Sequence, residues 1–264
     1  MGKHGPNWYD NWIEKYKIDP LNIPMKEDEN LAAIGDIHES SEFFDLITDH
    51  LMGEKSIDLD GVSICTSEFP EKIVSVGDIF DKGLGEKYGE TILRFCLEQK
   101  YFVLKGNHEI KKIKHYRKIN SLLEKVLSDL PNALSFVWPN GFRLTCVHAG
   151  ITPRHTWEDL KYNSEICYVR SVNDNGEMIP LVWIEKDGFK VLEPKDPNGK
   201  LWHELYDGRF GFVVSGHDQQ NDGIPKFYKH SCNIDSAAYK TGILTAAIFG
   251  QNGFEKTIST PRRA

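Results

Sequence analysis

Short apolar runs recur along this chain, and each one stops at a polar side chain able to bind a cation. The run Ile73-Val74-Ser75-Val76 is rich in β-branched residues and reads as a buried strand. It halts at Gly77-Asp78-Ile79-Phe80-Asp81-Lys82-Gly83, where the glycines signal a turn. The same order recurs at Ala32-Ala33-Ile34-Gly35-Asp36-Ile37-His38 and at Tyr101-Phe102-Val103-Leu104-Lys105-Gly106-Asn107-His108-Glu109. A fourth run, Arg143-Leu144-Thr145-Cys146-Val147, ends on His148-Ala149-Gly150, and a fifth, Gly211-Phe212-Val213-Val214-Ser215, on Gly216-His217. Five predicted strands thus deliver Asp, Asn or His at their carboxyl ends, where open α/β sheets place ligands.

Helical spacing fills the gaps between these strands. Residues 40–51 read as a helix opened by serine caps. Residues 88–99 read as an amphipathic helix with Ile92, Leu93, Phe95, Cys96 and Leu97 facing inward. Residues 110–130 read as helical and basic at first, with Lys111, Lys112, Lys114, Arg117 and Lys118. A solvated face is the default for such a run, and contact with an acidic substrate is the alternative. Residues 178–192 read as a hairpin turning at Asp187-Gly188, either a flap beside the site or a surface insertion. Residues 231–249 read as paired strands that close the sheet. Residues 1–30 are expected as an extension, with aromatics at 8–16 on a short docking helix and Pro20 and Pro24 marking a linker. A catalytic domain is expected over 31–250, and a frayed polar tail over 251–264. Strands alternating with helices, followed by more strands, predict an α/β fold of two mixed β-sheets sandwiched between helices.

Composition narrows the class. Apolar residues make up 40% and charged residues 27% of 264, as in an ordinary soluble protein with ample core. A formal net charge of −7 argues against a general nucleic-acid or membrane surface. Five cysteines, an odd number without Cys-x-x-Cys spacing, suggest buried packing in a reduced, cytoplasmic compartment. No signal-peptide core and no membrane-length apolar stretch are visible.

The strand-end residues Asp36, His38, Asp78, Asn107, His148 and His217 form a mixed nitrogen and oxygen set without thiolates. Such a set suits manganese, iron or zinc in a reactive site better than structural zinc. Two cations bridged by Asp78 would lower the pKa of a water molecule and aim it at phosphorus.

Taken together, Gly35-Asp36-Ile37-His38, Gly77-Asp78-Ile79-Phe80-Asp81-Lys82-Gly83, Gly106-Asn107-His108-Glu109, His148-Ala149-Gly150 and Gly216-His217 resemble the calcineurin-like metallophosphoesterases. More narrowly they resemble the phosphoprotein phosphatase branch. The resemblance runs from about residue 31 to residue 249. It implies that Asp36 and His38 hold a first metal, that Asp78 bridges, and that Asn107, His148 and His217 hold a second. It implies that His108 protonates the leaving oxygen and that Asp81 orients it. Arg170, in Tyr168-Val169-Arg170, matches an arginine that clamps phosphoryl oxygens, with Lys82 and Asn107 beside it.

Two positions depart from the family pattern. Glu39 stands where glycine is usual, and its carboxylate could repel an anionic substrate, gate access or point away. Lys82 stands where arginine is usual, which keeps the charge but loses the bidentate fork. The implied activity is a dinuclear metal-dependent phosphomonoesterase, most simply a serine/threonine or tyrosine protein phosphatase. The alternatives are a dinucleoside polyphosphate hydrolase, a phosphatase of nucleic-acid ends, and a non-catalytic scaffold. The expected partner is a phosphorylated protein or nucleotide.

Overall fold

A computed structural model describes residues 19–51, 70–117, 122–186 and 189–261. The expected docking helix at 8–16, most of the polar loop at 53–70, and the hairpin turn at 187–188 lie outside the described residues, as does Cys65.

The first half runs β1 (Ile23–Pro24), β2 (Leu31–Ile34), α1 (Glu42–Asp45), β3 (Lys72–Ser75), α2 (Glu86–Glu98) and β4 (Phe102–Val103). Two helices follow, α3 (Asn107–Tyr116) and α4 (Leu122–Asp129), and then β5 (Ala133–Val137), β6 (Arg143–Val147) and α5 (Trp157–Tyr162). An irregular middle carries β7 (Ser171–Val172), β8 (Met178–Ile179), β9 (Leu181–Lys186), β10 (Phe189–Pro194), β11 (Lys200–Leu201) and α6 (Trp202–Leu205). The chain then forms β12 (Phe212–Ser215), β13 (Lys226–Phe227), β14 (Ser231–Asn233), α7 (Ala238–Thr241), β15 (Thr245–Gly250) and β16 (Gly253–Ser259).

Two large sheets result, as expected. One has the order β16-β15-β2-β3-β4 and the other β1-β5-β6-β12-β14-β13. Strands β2, β3 and β4 run parallel, as do β6, β12 and β14, so their carboxyl ends emerge together within each sheet. Period-two alternation assigns each side chain to a layer. Leu31, Ala33, Val74 and Val76 point between the sheets, against Phe136, Leu144, Cys146 and Val214. Ala32 and Ile34 point the other way, under Ile92 and Leu93 of α2, Ile113 of α3 and Val126 of α4. On the far face, Val147 and Val213 pack under Leu160 of α5 and Trp202 of α6. The order is helix, sheet, sheet, helix. Cys96, Cys146, Cys167 and Cys232 are buried free thiols. No described helix is long and apolar enough to cross a membrane.

Three local expectations are corrected. The proline-marked linker is an edge strand: Ile23 pairs with Phe136, and Leu21, Ile23 and Met25 are buried at alternate positions. Pro24 is tolerated there because an edge strand has one face free of ladder bonds. The polar tail is also a strand, with β16 paired to β15 from Ser259 opposite Thr245. Its charged residues suit an edge that must not recruit another chain. The segment 231–249 does not pair with itself, since β14 joins one sheet and β15 the other. Its crossing passes through Ala237, in a left-handed conformation at φ 53°. Residues 110–130 are helical as expected, over α3 and α4.

Candidate active site

The loops after β2, β3 and β4 meet the loops after β6 and β12, and the sequence-predicted residues gather there. Asp78 is the shared member. His38 Nε2 lies 3.6 Å from its Oδ2, and His148 Nε2 lies 3.4 Å from its Oδ1. Two donor groups capable of holding a cation overlap on it among the described residues: His38, Asp78 and His108, and then Asp78, His148 and His217. Asn107 Oδ1 stands 3.0 Å from His148 Nε2. Asp36 Oδ2 stands 3.9 Å from His38 Nε2, and both Asp36 oxygens accept the His217 backbone N–H.

This crowding dictates the local backbone. Among the described residues, left-handed φ values occur at His38 (48°), Glu39 (57°), Asp78 (49°), Asp81 (66°), Lys82 (75°) and His217 (67°). Non-glycine residues avoid this region, and strain of this kind gathers at functional loops. The motif glycines make room for the carboxylates. A Cβ on Gly216 would collide with Asp36 Oδ1, and one on Gly106 with Asp78 Oδ1.

The donor chemistry fits divalent cations. His38 Nδ1 lies 3.0 Å from the Phe80 carbonyl, and His148 Nδ1 lies 2.9 Å from the Val76 carbonyl. A carbonyl only accepts, so each Nδ1 carries the proton and each Nε2 lone pair faces the centre. As oriented, the Asn107 oxygen then faces the His148 lone pair, an arrangement that a shared cation satisfies. Lys82 Nζ, 3.1 Å from His38 Nε2, brings positive charge to the other side.

Titration of the carboxylates reflects the same crowding. Burial, reinforced by the Asp235 and Asp78 charges, pushes the Asp36 carboxyl well above its ordinary range. Burial also opposes ionisation of Asp78, but His148, His38 and His108 outweigh it and hold its pKa well down. Burial lowers His38 to about 4 and takes His217 well below its usual value. It works against charge on His148 too, yet Asp78 prevails and raises that group.

Beside the donors stands a histidine–aspartate pair. His108 Nδ1 lies 2.7 Å from Asp81 Oδ2, which leaves Nε2 facing the centre 3.8 Å from Asp78. Asp81 is held at about 2 against its burial by hydrogen bonds from His108 and Lys111 and by the Lys112 charge. Two lysines of the basic run therefore are not merely solvated. Lys111, itself exposed, and the half-buried Lys112 sit 3.2 and 3.3 Å from Asp81, while Lys114 and Arg117 are exposed. Arg170 donates through Nη2 to the His217 carbonyl at 3.0 Å, and its buried Nε has no hydrogen-bond partner among the described residues.

A profile of the calcineurin-like phosphoesterases matches residues 30–221. The chain belongs to this family. A "putative serine/threonine-protein phosphatase" of Caenorhabditis elegans, C27B7.6, is 28% identical over 193 residues, covering 63% of this chain and 41% of that protein. The chain thus spans about two fifths of the length of that relative. Among solved structures, a "putative diadenosine tetraphosphatase" aligns with a TM-score of 0.62 at 22% identity, covering 92% of this chain and 98% of the other. A protein serine/threonine phosphatase from Saccharomyces cerevisiae, with similarity to human phosphatase PP5, aligns with a TM-score of 0.53 at 16% identity, covering 97% and 88%. These structural likenesses establish the fold.

Within the calcineurin-like frame, Glu39 turns away from the donors. Its Oε2 accepts the Gly85 N–H at 3.0 Å, at the entrance to α2. Two buried carboxylates escaped the sequence reading of the site. Glu109, taken there only as part of a motif, accepts the backbone N–H groups of Asp78, Ile79 and Gly106, each at 2.8 Å, and so binds two site loops together. The only signal was an acidic residue in the first turn of α3. Burial and the Asp78 charge push it up to about 7. Asp235 stands beside Asp36 and is raised by burial to about 6.

Proposed function

We propose that this calcineurin-like phosphoesterase is a dinuclear, metal-dependent phosphomonoesterase that removes phosphate from phosphorylated protein side chains. The observation that carries the reading is Asp78, whose two oxygens face His38 and His148 while His108 stands beside them. Asp36, His38 and Asp78 would hold one cation, and Asp78, Asn107, His148 and His217 the other. Manganese is our choice, with iron and zinc also compatible with the donors. When bound, such a pair supplies positive charge against phosphoryl oxygens and lowers the pKa of a water molecule.

The chain's own residues do the rest. Asp81 fixes the His108 ring through Nδ1, so that Nε2 can give a proton to the oxygen leaving phosphorus. The Arg170 guanidinium, anchored by one nitrogen to the His217 carbonyl, offers its remaining N–H groups to phosphoryl oxygens. Lys82 adds a positive charge from the His38 side, and Asn107 an amide beside His148.

The name of the nematode relative supports a phosphoprotein substrate. The name of the diadenosine tetraphosphatase neighbour supports a second reading, hydrolysis of dinucleoside polyphosphates. The manganese-loaded protein, offered a peptide carrying both phosphoserine and phosphotyrosine and, in parallel, diadenosine tetraphosphate, separates the two. Phosphate release from the peptide with the dinucleotide intact supports the first reading. Cleavage of the dinucleotide with the peptide untouched overturns it in favour of the second.

A further inference from the structure

Beside the centre lies a trough of about 490 Å3, lined by Tyr168, Arg170, His217 and the apolar stretch of residues 178–181. That volume falls within the usual range for a small-molecule site. Two of its walls belong to the centre itself, since Arg170 binds the His217 carbonyl. The opposite wall is Met178, Ile179, Pro180 and Leu181, where β8 gives way to β9. It is fixed to the strand that follows Arg170, because Ser171 pairs with Ile179 and its hydroxyl donates to the Ile179 carbonyl at 2.8 Å. Met178 is 44% exposed and Tyr168 39%, so the trough is open to an incoming group.

The lining selects a particular chemistry. Among the described residues its lining holds no carboxylate, and its polar side chains are those of Arg170, His217 and Tyr168. The three exposed or cationic members each favour a flat π-system. A guanidinium stacks on a ring face, a thioether meets a ring edge, and a phenol stacks offset. An aliphatic or hydroxylated group would gain only area, and would leave its own polar atoms unpaired against residues 178–181.

We infer that this trough seats an aromatic ring in the organic part of the substrate, next to the phosphoryl group. The inference rests on the phosphoesterase reading above. The ring is either bonded close to phosphorus, as in a phosphorylated tyrosine side chain, or carried further out, as in a nucleotide base.

The test is binding by calorimetry to the manganese-loaded protein, using methylphosphonate, benzylphosphonate, ribose 5-phosphate and adenosine 5′-monophosphate. Benzylphosphonate is expected to bind about tenfold more tightly than methylphosphonate. The gap should shrink to below about threefold in Tyr168→Ala and in Met178→Glu, with the manganese stoichiometry of both variants unchanged. A preference for adenosine monophosphate over ribose phosphate, lost in the same variants, supports the base as the ring's source. Equal affinity within both pairs overturns the inference, as does a gap that survives both substitutions or no binding by any probe. Phosphate release from an aryl phosphate judges the phosphoesterase reading separately, so failure of one is distinguishable from failure of the other.

Discussion

The two sheets arm the site in different ways. The five-stranded sheet delivers Asp36, His38, Asp78, Asn107 and His108, and its loops are cross-tied through the backbone. The Asp78 carbonyl accepts from Ile37 and His38, the Ile79 carbonyl accepts from Glu39, and Glu109 gathers four further N–H groups. The six-stranded sheet delivers His148 and His217, and Arg170 joins them. Among the described residues, this second group reaches across through few bonds, chiefly His148 to Val76 and His217 to Asp36. One half is a preset acidic cradle; the other closes over it with imidazoles and a guanidinium. Damage to the cradle should therefore cost fold and cation together, whereas damage to the closing half should cost cation and substrate alone.

The sharpest break is at the shared residue. Asp78→Asn should lower kcat/KM on an aryl phosphate by about a thousandfold or more and reduce bound manganese, as measured by steady-state kinetics and metal analysis. Glu109→Ala breaks the cradle without touching a donor. It strands buried N–H groups and should destabilise the fold by about 3–5 kcal/mol in urea unfolding. His148→Gln, in the closing half, should leave the urea midpoint much nearer the wild type. If both variants unfold alike, the asymmetry between the halves is wrong.

His108→Asn tests the acid. The fall in kcat should be about a hundredfold on an alkyl phosphate and smaller on para-nitrophenyl phosphate, whose leaving group needs no proton. An equal loss on both substrates would make His108 a ligand in place of an acid.

The acidic cradle also sets a pH dependence. Asp36, Asp235, Glu109 and His148 all have raised pKa values in the fold, Asp235 to about 6 and Glu109 to about 7. A group raised in the fold binds protons there that the unfolded chain has released, so its contribution is lost as pH rises through the folded value. His38 and His217, both lowered, act oppositely, but only below their unfolded value of about 6.5. Above that pH the raised groups act alone. The chelated protein should therefore melt at a lower temperature at pH 8 than at pH 6.5, and saturating manganese should narrow the difference. The smallest effect belongs to Glu39→Ala, about 1 kcal/mol of stability from the lost bond to Gly85, with kcat/KM within about twofold of wild type.

These residues also mark what the chain discloses in advance. The buried strands and their terminal ligands were legible because apolar runs of β-branched residues stop at Gly plus Asp, Asn or His, a pattern local in sequence. Edge elements were not. Pro24 disguises a strand whose pairing partner lies more than a hundred residues away, and the charges of β16 disguise one that itself faces solvent. Leu21, Ile23 and Met25 did carry a period-two signal, but over too short a span to outweigh two prolines. The supporting carboxylates were hidden for a different reason. Glu109 and Asp235 act on atoms contributed by other loops, 30 or more positions away for Asp78 with Glu109, and no local spacing encodes that. The direction of Glu39 likewise depended on where Gly85 would come to rest.

The central claim is that the two sheets meet on Asp78 to hold two cations that act together. Its most direct test is to titrate chelated protein with manganese while following both bound metal and phosphate release from para-nitrophenyl phosphate. The account predicts that turnover saturates at two ions per chain. Full turnover at one ion, or turnover that persists in chelator, would contradict it.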